Sequence, residues 1–146
     1  MSDRASTEVA TLQRVLAAEH AAVWGYGVVG GHLPVAVQEA ARSADRAHRA
    51  RRDTVTALLG ARGATPVAAA PGYELPFPVA DAVAARRLAV HLEKGTAATW
   101  HAALGTLAGA DLRRLAVGAL ADAATRGLQW RLAVPGEPST VPFPGT

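Results

Sequence analysis

Apolar residues recur at helical spacing over four stretches of the chain. In the first, from about Ser6 to Val29, Leu12, Val15, Leu16, Val23 and Tyr26 share one narrow stripe. Ser6 and Thr7 are suited to cap its start, and Gly30-Gly31 to end it. Pro34 then stands where the first turn of a helix tolerates proline. The second stretch continues to about Arg62, with Val37, Ala41, Ala44, Val55 and Leu59 on one face and Gly63 as its stop. A third runs from about Val79 to Leu107, and after a break at Gly109 a fourth spans about Asp111 to Leu132.

The connections carry topological information. Short links join the first two helices and the last two, which makes each pair an antiparallel hairpin. Between the hairpins lies ATPVAAAPGYELPFP, whose Pro66, Pro71, Pro76 and Pro78 exclude regular helix. The whole link covers 63–78, and about fifteen extended residues travel most of the length of a bundle. The expectation is therefore an all-α, four-helix bundle of ferritin-like connectivity: two antiparallel hairpins joined by a long Pro-rich crossover. Residues 1–146 make one domain of ordinary size, with a Pro-rich C-terminal tail at 135–146.

Composition narrows the chemistry. Half of the residues are hydrophobic, which rules out a disordered chain. There is no cysteine, so disulfides, thiolate metal sites and cysteine nucleophiles are excluded. The pI of 10.2 looks strongly basic, but the net charge is only +3 and nearly every cation is an arginine. Neither that charge nor the aromatic pattern marks a nucleic-acid binder. The N-terminus MSDRASTEVATLQRVL lacks the pattern of a signal peptide, and no stretch reaches the roughly 18 uncharged apolar residues of a membrane span. A cytoplasmic protein without membrane or nucleic-acid partners is expected.

Several polar residues interrupt the apolar stripes. Glu19 lies among Leu12, Val15, Leu16, Val23 and Tyr26; His48 is central on the second stripe, flanked by Asp45 and Arg52 a turn either side. Glu93 sits among Ala89, Val90, Ala97, Trp100 and Leu104, and Asp122 aligns with Leu115, Gly118 and Ala119. The fourth helix is apolar nearly all round, which makes its inner face the least defined. A carboxylate buried alone costs several kcal/mol, so each needs a cation, a hydrogen bond or a shifted pKa.

Di-iron and di-manganese carboxylate bundles place one Glu on each of two helices and a Glu-x-x-His on each of the other two. Here the corresponding order is Glu19, Asp45-Arg46-Ala47-His48, Glu93 and Asp122-Ala123-Ala124-Thr125. The order matches, whereas both motif glutamates are shortened to Asp and the second histidine is Thr125. Two arrangements follow. In one, Glu19, Asp45, His48, Glu93 and Asp122 hold iron or manganese, and the metal handles dioxygen or peroxide. In the other, Glu19, Tyr26, His48, Arg52, Glu93, Asp122 and Arg126 form a buried polar network in which arginine takes the place of metal. The second, with no cofactor, is the leading expectation.

The segments AAEHAAVWGYGVVG, AHRARRD, GYELPFPV and LAVHLEKG, with the closing WRL and PFPG, resemble uncharacterised ferritin-like domain proteins of actinobacteria over essentially the whole chain. The resemblance implies a ferritin-like bundle, often dimeric, and brings no established activity or ligand set. The functional expectation is a structural or binding module with a degenerate metal site, more a non-enzyme than an enzyme. A homodimer is expected because the fourth helix has more apolar surface than one core face can use. A weaker third expectation is a small-ligand site between Tyr26, Tyr73, Trp100 and the polar layer, with the crossover as its lid. His20, His91 and His101 are expected at the surface, Trp100 in the core, and Trp24 and Trp130 in packing or subunit contacts.

Overall fold

The computed structural model describes residues 2–140 and 142–146, so Val141 of the C-terminal tail lies outside it. Four helices account for the architecture: α1 (Asp3–Gly31), α2 (Gln38–Ala61), α3 (Ala82–Ala103) and α4 (Ala110–Leu132). Among the described residues no helix is long and apolar enough to cross a membrane.

The helix ends follow local hydrogen bonding more closely than the apolar periodicity indicates. Ser2 caps α1, its hydroxyl accepting from the Ala5 amide at 3.3 Å. Ser6 and Thr7, expected as caps, instead lie inside the first turns, where their hydroxyls donate to the Ser2 and Asp3 carbonyls. The glycine pair does not stop α1, which includes both and closes at His32. Pro34 starts a short 3-10 turn at Val35–Val37, and α2 begins only afterwards. Gly63 ends α2 at φ +68°, with the Ala64 amide donating back to the Leu59 carbonyl at 3.0 Å. Helix α3 starts at Ala82 rather than Val79, because the Asp81 carboxylate accepts from the Ala84 amide at 2.8 Å. Past its C-terminus, the Arg113 guanidinium covers the Leu104 and Leu107 carbonyls.

The interior divides into two apolar halves. One contains Leu12, Leu16, Leu59, Trp100, Leu107 and Ala116; the other contains Val29, Ala41, Ala44, Leu88, Ala89 and Trp130. Helix α1 runs from the first half to the second, α2 returns, α3 again starts at the second, and α4 starts at the first. Helices α2 and α3 are therefore parallel, so the link between them must travel the full bundle. It spans roughly 36 Å for the 24 residues of α2.

The crossover follows α1 along the way. Gln13 holds both the Thr65 carbonyl (2.7 Å) and the Val67 amide (2.8 Å), His20 Nε2 reaches the Val67 carbonyl (3.0 Å), and Trp24 meets Tyr73 with ring centroids 5.7 Å apart. Phe77 and Val79 then pack on the far apolar half. The closest packing is within each hairpin and between α1 and α3, while α2 and α4 meet across a looser seam. That seam is bridged by the Arg51–Asp122 ion pair at 2.6 Å.

Candidate functional site

Between the two apolar halves lies a polar layer. Glu19, His48 and Glu93 are each about 1 % exposed and come from three different helices. His48 stands between the carboxylates: its Nδ1 is 2.6 Å from Glu19 Oε2 and its Nε2 is 3.0 Å from Glu93 Oε1. The remaining Glu19 oxygen, Oε1, accepts from the Trp100 indole at 2.7 Å. Glu93 Oε1 also accepts from the Tyr26 hydroxyl at 2.6 Å and from Arg126 Nε at 2.9 Å. Tyr26 in turn accepts from the Trp130 indole at 2.9 Å, and its ring stacks on His48 with centroids 5.4 Å apart.

The electrostatics follow from that geometry. Burial alone would drive the His48 proton off, but hydrogen bonds and charge from Glu19 and Glu93 outweigh it and hold the imidazole pKa at about 9. At neutral pH the ring is thus a cation that donates through both nitrogens. For Glu93, burial pushes upward, and the contacts with His48, Arg126 and Tyr26 overcome it, so its pKa lies below the usual carboxylate range. The Tyr26 hydroxyl is raised well above its ordinary value by burial and by the neighbouring Glu93 charge, and it stays protonated. Two carboxylates face one imidazolium and one guanidinium. The layer is neutral as a whole.

Five of the eight residues expected here are therefore placed together: Glu19, Tyr26, His48, Glu93 and Arg126. Three are not. Asp45 sits on the flank of α2, where its Oδ2 takes Arg49 Nε at 2.7 Å. Arg52 points away from the layer and pairs with its neighbour Asp53 at 2.8 Å. Asp122 is more than half exposed and pairs with Arg51. The inner face of α4 is Ala116, Ala119, Ala123, Gly127 and Trp130, which turns Asp122, one residue before Ala123, outward by about 100°. Trp100 and Trp130 contribute hydrogen bonds as well as packing. The available signal was the rule that a buried indole N–H needs an acceptor, together with the heptad spacing of Trp100 from Glu93. Trp24 and Tyr73 meet under the crossover, apart from the polar layer, where they border a separate cavity with Arg49 and Arg52.

The donor set does not fit a metal centre. Three of the four carboxylate oxygens in the layer already accept hydrogen bonds, and both imidazole nitrogens face carboxylates. Of these four oxygens Glu93 Oε2 is the one without a partner, and Arg126 supplies a fixed cation to the same carboxylate. Among the described residues no group of three or more His, Asp or Glu side chains is arranged to hold a metal ion.

A family model described as "Domain of unknown function (DUF4439)" matches residues 11–146. No curated protein matches the chain. A solved structure of a conserved hypothetical protein, rv2844, from Mycobacterium tuberculosis is 38 % identical. That match covers 92 % of this chain and 100 % of the other, with a TM-score of 0.86. A ferritin-like, diiron-carboxylate protein from Bacillus anthracis str. Ames superposes with a TM-score of 0.76 at 15 % identity, covering 92 % of this chain and 99 % of that one. The second likeness shows a ferritin-like fold and nothing more.

Proposed function

The chain belongs to the DUF4439 family of ferritin-like domains, and we propose that it is a non-enzymatic structural or binding module whose interior holds a proton-bearing ion network in place of a metal centre. One observation carries this reading: His48 bridges Glu19 and Glu93 through both ring nitrogens. An imidazolium in that position supplies a positive charge between the carboxylates, and Arg126 supplies a second. Removing one partner would strand a buried charge at a cost of about 3–5 kcal/mol, so the layer locks the relative register of α1, α2 and α3.

The same reading includes a homodimer in the cytoplasm. Its support is the outer surface of α4, which leaves Val117 54 % and Leu132 69 % exposed.

Metal analysis of protein purified without chelator tests the central part. Iron and manganese well below one equivalent are expected, in wild type and in His48→Gln alike. A full equivalent that disappears in the variant would overturn the proposal in favour of a metal-binding redox protein.

A further inference from the structure

The loosely packed seam between α2 and α4 encloses a cavity of about 250 Å³ beside the polar layer. Its apolar wall includes Val37 and Ala44 from the α2 side, with Trp130 and Ala133 from the end of α4. Two guanidinium groups, Arg86 and Arg126, border it, and the remaining polar lining is Ser43 and Gln129. No carboxylate lines it.

The charges are not balanced locally. Arg126 uses its Nε on Glu93, and that charge is already counted in the neutral layer of Glu19, Glu93, His48 and Arg126. Among the described residues only its Nε is engaged in a hydrogen bond, and its side chain lines the cavity. Among the described residues no carboxylate lies within ion-pair distance of Arg86, which is half-buried at the same opening. One uncompensated cation, a second with spare donors and an indole face form a donor-rich, acceptor-poor recess. Partial burial strengthens a charge-assisted bond to an anion there, and the fork of an arginine matches a carboxylate.

We propose that this recess binds a small monocarboxylate with an apolar body, its carboxylate between Arg86 and Arg126 and its body against Trp130 and Ala44. Size favours a molecule on the scale of an aryl-substituted or medium-chain acid. A second cavity with two arginines, beneath the crossover, is weaker for this purpose, because Arg49 and Arg52 there are already paired with Asp45 and Asp53. The inference goes beyond the ion-network reading and does not need that layer to be free of metal.

The test uses phenylacetate and octanoate as probes, titrated into ¹⁵N-labelled full-length protein and followed at the assigned Trp130 indole resonance. A saturable shift with at least one acid is expected, roughly tenfold tighter than with the matching alcohol, 2-phenylethanol or octanol. Arg86→Gln should weaken the acid about tenfold while leaving the thermal midpoint unchanged, since Arg86 makes no ion pair among the described residues. An unmoved Trp130 resonance with both acids, equal binding of acid and alcohol, or undiminished binding in Arg86→Gln would each overturn the assignment.

Discussion

His48 donates from both sides of its ring into the centre of the bundle, and the two carboxylates that receive it are otherwise sealed from water. This arrangement ties stability to pH in a definite direction. The folded pKa of about 9 lies above the ordinary 6.5, so the stabilisation is complete below about pH 6.5 and is lost as pH rises through about 9. Glu93 acts oppositely: its depressed pKa gives stability that is present above its ordinary value of 4.5 and lost as pH falls through the folded value. Denaturant unfolding should therefore be most resistant between about pH 5 and 6.5, with an alkaline decline centred between 6.5 and 9. In His48→Gln the alkaline decline should vanish and the maximum should drop by about 3–5 kcal/mol. An unchanged alkaline limb would assign it to another group. At this scale Glu19, His48 and Glu93 were legible because each breaks an apolar stripe at its centre. Asp45 and Arg52 lie only a turn away, and a side chain 40–60° off the centre of a stripe can turn either inward or out.

At the scale of single helices, periodicity located all four, and capping chemistry set their ends. Ser2 and Asp81 accept from amides three residues on, a local bond that competes with nothing and so shifts each start from the apolar boundary. Helix α4 was the least legible element. Between Leu112 and Trp130 its inner face is built only of alanine and glycine, so several faces look alike and Asp122 was expected inside. Close approach is not required at every glycine of that helix. A Cβ at Gly118 would meet no other atom within 4 Å, so Gly118→Ala should raise stability by about 0.5–1 kcal/mol through helix propensity and a less flexible unfolded chain. A lowered thermal midpoint would reveal a contact at that position, such as a partner surface on α4.

Across the whole molecule, the crossover decides the topology. A short link would have joined α2 to an antiparallel neighbour, whereas the proline-rich segment runs beside α1 and delivers α3 parallel to α2. The prolines were readable as a long extended connection. The side chains of α1 that guide it, Gln13, His20 and Trp24, were not, because each pairs with a segment of no regular pattern. The dimer belongs to this scale too: sedimentation should give a mass near twice 15.0 kDa, and exposed Val117→Lys should shift it toward the monomer. A wild-type protein that sediments as a monomer at micromolar concentration would remove that part of the proposal.

The most direct measurement is an NMR titration of the His48 ring nitrogens in the native protein. Both should be protonated at pH 7, with slowly exchanging N–H signals and deprotonation near pH 9. A single neutral tautomer at pH 7, or titration at or below 6.5, would contradict the ion layer and leave Glu19 and Glu93 without the cation assigned to them.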